Sequence, residues 1–208
     1  MRGPRPTLER EIALWQVGGG GLVAGLDEAG RGPLAGPVVA AAVVFPPCAK
    51  PIRGLRDSKL LPPAQRARLA HVVRARALAV AVGAASVREI DRLNIRRASI
   101  LAMRRALERL AVRPVHVLVD GLPVPELGWP HEAIVDGDAC CHSIAAASVI
   151  AKTLRDRLME RLARRHPRYA WGSNKGYGTP EHLAALAEHG FTAHHRKSFA
   201  PVLQLVLV

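Results

Sequence analysis

Asp27 and Glu28 stand side by side at the end of an apolar run and lead directly into Ala29-Gly30-Arg31-Gly32-Pro33, in a chain of formal net charge +13. Hard divalent cations prefer carboxylate oxygens, and a strongly basic remainder attracts a polyanion. Together these features point to metal-assisted chemistry on nucleic acid. Two further acids are placed for the same work: Asp120 ends an apolar run and precedes Gly121, and Asp138 opens a helical stretch. Each has an ordinary structural use as well, Asp138 as a helix N-cap, Asp120-Gly121 as a turn, Glu28 as an arginine partner. Asp27 is the hardest to explain structurally, because a carboxylate ending an apolar strand is costly unless a cation neutralises it.

Around these acids stand groups suited to a phosphate or a sugar. Gly30 and Gly32, flanking Arg31, let backbone amides come close to a ligand, or simply make a tight turn. Ser58-Lys59 adds a hydroxyl and an amine. Tyr177 sits between Gly176 and Gly178 in a chain with only 4% aromatic residues, which favours a stacking or sugar-contacting surface over core, although covering a sheet edge is the other use. Ser143, near a helix start, could hold a phosphate with the free amides, while Ser148 in the alanine-rich run that follows suits close helix packing. His142, His194 and His195 match no zinc spacing and are expected to be structural or superficial.

The bulk properties agree. A chain of 208 residues with 49% hydrophobic content can bury a real core, and 30 Lys and Arg against 17 Asp and Glu favour a phosphate-rich partner. An Arg-rich solvated surface is the plainer reading of that excess, and Arg96, Arg97, Arg104 and Arg105 suit either duplex grip or such a face. The three cysteines, Cys48, Cys140 and Cys141, form neither a disulfide framework nor a spaced metal signature. No apolar stretch approaches the roughly 18 residues of a membrane span, and the amino terminus lacks a signal core. A cytoplasmic location and a monomer are expected.

To position the acids, the spacing predicts a helix over 7–17 stopped by the glycine run 18–21, and strands over 22–26 and 37–45. A helix from Pro62-Pro63 and a strand over 77–86 follow, then a long helix over 90–110. A strand over 115–119 delivers Asp120, another spans 131–135, and a helix runs over 140–165. Strands first and alternating strand and helix afterwards argue for an α/β architecture, a mixed sheet flanked by helices. The whole chain is expected to form a single domain, with 1–21 as a leading helix and glycine linker and about 180–208 as a C-terminal helical segment.

The motifs, taken in order, are Asp-Glu-Ala-Gly-Arg-Gly-Pro at 27–33, Asp57-Ser58-Lys59, Asp120-Gly121, Gly137-Asp138, Ser143-Ile-Ala-Ala-Ala-Ser148 with Ala151-Lys152, Lys175-Gly-Tyr-Gly-Thr179, and His195-Arg-Lys-Ser-Phe199. In this the chain resembles the ribonuclease HII family, the type 2 ribonucleases H. The resemblance implies a ribonuclease H-like fold, with three leading antiparallel strands and then parallel ones. It also implies hydrolysis of the RNA strand of RNA/DNA hybrids and incision 5′ of ribonucleotides embedded in duplex DNA, by a two-metal mechanism using Mn²⁺ or Mg²⁺. By the same resemblance Asp27, Glu28, Asp120 and Asp138 are the catalytic and metal-binding acids. Gly30, Arg31, Gly32 and Tyr177 read the ribose 2′-hydroxyl and the adjoining deoxyribose, and Ser58, Lys59 and Ser143 contact phosphate. Asp136 and Leu60 depart from the lysines common at those places. Two other readings are a non-catalytic basic nucleic-acid-binding protein and another metal-dependent phosphoryl-transfer enzyme on a similar fold.

Overall fold

The computed structural model describes residues 5–17 and 21–206. In chain order the elements are α1 (Glu9–Val17), β1 (Val23–Ala29), β2 (Val38–Val44), a 3₁₀ turn at Ser58–Leu60, α2 (Pro63–Arg76), β3 (Ala79–Ala85), α3 (Val87–Leu93), α4 (Ile95–Glu108), β4 (His116–Asp120) and β5 (His131–Ile134). They are followed by α5 (Gly137–Cys140), α6 (His142–Arg165), α7 (Trp171–Asn174), α8 (Pro180–His189) and α9 (Ala200–Val206). One sheet carries the strands in the order β3-β2-β1-β4-β5. β1 pairs antiparallel with β2 and β2 with β3, whereas β1–β4 and β4–β5 are parallel. This is the expected mixed α/β sheet.

β2 reads as an unbroken apolar run because both of its faces are covered, and every one of its residues is buried. On one side Ala41, Val43 and Leu118 meet Ile144, Ala145 and Ala147 of α6. On the other, Ala24, Leu26, Ala40 and Ala42 meet Ala98, Ala102 and Ala106 of α4. Small residues set the spacing of these layers. A Cβ on Gly25 would lie 2.2 Å from the Ser143 carbonyl carbon, and one on Gly83 2.1 Å from the Ala102 oxygen, so backbone packs directly on backbone. A third core, with Leu34, Met159, Trp171 and Leu186, seats the C-terminal helices against the far end of α6.

Three boundaries differ from the sequence expectation. The helix over 90–110 is two helices, because Asn94 takes φ 68° and its side chain caps α4 through the Arg97 amide. The helix expected over 140–165 breaks at Cys141, whose extended backbone bridges to Thr7 in the leading segment. β1 runs on to Ala29, so Asp27 and Glu28 lie inside the strand, not beyond its end. The glycine stop at 18–21 falls, apart from Gly21, outside the described residues.

Candidate active site

Strand alternation sends adjacent side chains to opposite faces, and β1 obeys it. Asp27 pairs with Ala41 and Glu28 with Ala40 across the ladder, which places Asp27 toward α6 beside Ser148 and Glu28 toward α4 beside Ile100 and Met103. Because β4 lies parallel to β1, its last residue, Asp120, comes up next to them at the same end of the sheet. The Gly137 amide donates to Asp120 Oδ1 at 2.8 Å and so ties the loop carrying Asp138 to that strand end. Asp138 sits in the first turn of α5 instead of capping it. The N-cap there is Asp136, exposed and in the left-handed region at φ 53°.

A cleft of about 230 Å³ is lined by Asp27, Glu28, Gly30, Arg31, Gly32, Ser58, Lys59, Asp120, Ser148, Lys152 and Tyr177, with Ala29. Segments far apart in the chain thus meet in one notch. Lys59 Nζ stands 4.0 Å from Asp138 Oδ2 and connects the fourth acid to it. A second hollow, toward α4, shares Glu28, Arg31 and Asp120 and continues past Ser99 and Met103.

The charges are under tension. Burial, then the charges of Glu28 and Asp120, push Asp27 well above the usual carboxylate range against a hydrogen bond from Ser148. Burial raises Glu28 while Arg31, 3.2 Å away, opposes it. Asp120 is raised by burial despite the amides of Gly137 and Asp138. Asp138 is pushed up to about 7 by burial, Asp57 and Asp120. Burial disfavours the charge on Lys59, but Asp57 and the acids of the notch outweigh it and raise its pKa.

Such a set fits a hard divalent cation: all donors are carboxylate oxygens, and Asp138 Oδ2 is buried with no hydrogen-bond partner. The carboxylates flank the notch without closing on one point. Among the described residues no three carboxylate, imidazole or thiol groups form a ready coordination shell.

On the recognition side, Gly30 takes φ +98°, and a Cβ there would lie 2.0 Å from Arg155 Nε, so only glycine fits. The exposed Tyr177 ring stands across from Gly32, 3.6 Å from where a Cβ would be. Its loop is fixed from beneath. The Thr192 amide donates to His195 Nδ1, leaving His195 Nε2–H to donate to His182 Nε2, and His182 Nδ1–H to donate to the Tyr177 carbonyl at 2.8 Å. The histidines of this region are therefore structural, as expected.

Ser143 is a correction. It is buried, and its amide donates to Glu11 Oε1 at 2.7 Å, so a carboxylate from α1 already occupies the helix start where a phosphate was expected. Two cleft residues stood in the sequence motifs without being given a site role. Ser148 bonds Ser58 Oγ at 2.9 Å, and Lys152 pairs with Asp156 at 2.7 Å. Their i, i+4 spacing, which puts a hydroxyl and an amine on one helix face, was the available signal. Of the α4 arginines, Arg96 pairs with Glu126 and Arg105 with Glu89, each at 2.7 Å, and Arg104 lies 3.9 Å from Glu108.

Comparison with known proteins gives one answer. A family model described as Ribonuclease HII matches residues 24–202. The chain is 55% identical over 203 residues to "Ribonuclease HII 2" of Methylibium petroleiphilum, covering 97% of this chain and 92% of that one. It is 56% identical over 201 residues to Ribonuclease HII of Paracidovorax citrulli, covering 97% and 82%. Among solved structures, ribonuclease H2 from Pyrococcus horikoshii superposes with a TM-score of 0.76 at 28% identity, covering 88% of this chain and 96% of that one. A Bst-RNase HIII structure in complex with Mn²⁺ shares the fold, with a TM-score of 0.68 at 19% identity over 89% and 69% of the two chains.

Proposed function

Because the chain belongs to the ribonuclease HII family and is thus a ribonuclease H-type endonuclease, we propose that it cuts the RNA strand of RNA/DNA hybrids and incises duplex DNA on the 5′ side of an embedded ribonucleotide. The observation that carries this reading is the notch itself, where Asp27, Glu28 and Asp120, raised chiefly by burial, adjoin the Gly30-Arg31-Gly32 turn and Tyr177, with Asp138 linked to it through Lys59. Asp27, Glu28, Asp120 and Asp138 would hold two Mg²⁺ or Mn²⁺ ions, which when bound supply an activated water and stabilise the departing 3′-oxygen.

The protein's own groups do the rest. Arg31 and its flanking glycines meet the ribose 2′-hydroxyl, which DNA lacks, and Tyr177 packs on the neighbouring deoxyribose. Ser58 and Lys59 hold phosphate, with Ser148 and Lys152 on the adjoining wall. No side chain needs to act as a covalent nucleophile, so the products carry a 3′-hydroxyl and a 5′-phosphate. The groups of the notch come from β1, β4, α6, the 3₁₀ turn and two loops that pack around a single sheet, in support of a single catalytic domain, which we take to act as a monomer. No described helix is long and apolar enough to cross a membrane, in keeping with work in the cytoplasm.

Labelled duplex DNA containing one ribonucleotide, incubated with Mn²⁺ or Mg²⁺, tests the assignment. Asp27→Asn and Asp120→Asn are expected to remain folded and to lose at least about 100-fold in cutting, since losing an inner ligand outweighs losing an outer one. Full activity in either variant removes that residue from the site. Equal cutting of an all-DNA control points instead to a phosphoryl-transfer enzyme with no ribose reader.

A further inference from the structure

Arg196 belongs to the His195–Phe199 motif, puts no atom in the cleft, and is fully buried with no carboxylate partner. Its guanidinium is spent on carbonyl oxygens. Nη2 donates to Gly30 O at 2.6 Å and Gly36 O at 2.8 Å, Nη1 to Arg31 O at 2.8 Å, and Nε to Gly36 O at 3.0 Å. A buried cation held by carbonyl dipoles and by the Phe199 ring, 5.0 Å from its Cζ, with no carboxylate bonded to it, is a costly arrangement for mere packing.

The geometry gives it a use. All peptide bonds among the described residues are trans, so the C=O and N–H of each peptide point in opposite directions. With Gly30 O and Arg31 O both drawn down to the guanidinium, the N–H groups of Arg31 and Gly32 are turned the other way, toward the cleft that these residues line. Among the described residues neither N–H has a hydrogen-bond acceptor.

We propose that Arg196 is the positioning residue of ribose recognition, its guanidinium fixing two successive peptide planes so that Arg31 N–H and Gly32 N–H converge on the 2′-hydroxyl oxygen. This rests on the reading of that turn as the ribose reader. A planar fork spanning several carbonyls is something arginine provides and lysine, a single ammonium point, does not.

The test compares affinity for a fluorescent DNA duplex with one central ribonucleotide against its all-DNA twin, with chelator present so that neither is cut. Wild-type protein is expected to prefer the ribonucleotide by about 10-fold, as two modest hydrogen bonds provide. Arg196→Lys is expected to bring that ratio close to one while all-DNA affinity changes by less than about twofold. A merely structural role would lower the thermal midpoint and both affinities together and leave the ratio intact, which overturns the proposal. A wild type without preference overturns the ribose reading itself and the proposal with it. Should Arg196→Lys fail to fold, wild-type amide resonances decide. Those of Arg31 and Gly32 should shift with the ribonucleotide duplex and not with its twin, and unmoved resonances overturn the proposal.

Discussion

At Asp138, burial and the carboxylates of Asp57 and Asp120 hold the side chain protonated up to about pH 7, far above an unfolded aspartate. A carboxyl whose folded pKa is raised contributes stability that is complete below about pH 4 and is lost as the pH climbs through about 7. Above that point the crowded anions weaken the fold. Cation binding, which requires deprotonated ligands, reverses the loss. Mn²⁺ should therefore raise the thermal midpoint clearly at pH 8 and much less at pH 6, by calorimetry with and without chelator. Equal shifts at both pH values would count against these acids as the ligands. Asp27 was legible from the sequence because an acid ending an apolar run has few structural uses. Ser148 and Lys152 were not, since an alanine-rich helix reads as packing. Ser143 misled for a non-local reason: the acid on its amide, Glu11, lies 132 residues away.

The same pairing governs the helix that follows the one carrying Asp138. α6 has no side-chain cap of its own at Cys141. Glu11 of α1 supplies one, accepting from the Ser143 amide, while Thr7 exchanges backbone bonds with Cys140 and His142. The leading helix thus clamps the junction between α5 and α6. Glu11→Ala leaves that amide without its charged acceptor, and a loss of about 1–3 kcal/mol is expected from urea unfolding. An unchanged midpoint would show that water replaces the carboxylate at no cost. Periodicity located these helices but not their breaks, because the apolar pattern continues through Asn94 and Cys141 while backbone pairing and capping interrupt the coil. It likewise ended β1 early. Asp27 and Glu28 look like a terminus by polarity, yet both remain in the ladder with β2.

Over the whole molecule, the layer order was legible because β2 and β3 are apolar on both faces and the strands before α4 outnumber the connections long enough for a crossover. The destination of the surplus positive charge was not. Three of the four α4 arginines, which suited either duplex grip or a solvated face, lie against glutamates, whereas Arg74 and Arg157 line a shallow groove between α2 and α6 with His71 and the unbonded hydroxyl of Thr153. With a net charge of +13, duplex affinity should fall with salt at a log–log slope of about −4 or steeper, the signature of four or more neutralised phosphates. Fluorescence anisotropy across a salt series measures it, and a slope near −1 would leave the surplus without a role in binding. One feature of β1 reaches further than the chemistry. Asp27 hangs on one side of the sheet and Glu28 on the other, so any strand touching both must arch over the rim and lean on two separately packed layers. A flaw seeded beneath α4 tilts one ligand and a flaw beneath α6 the other, which gives remote damage to catalysis a readable address.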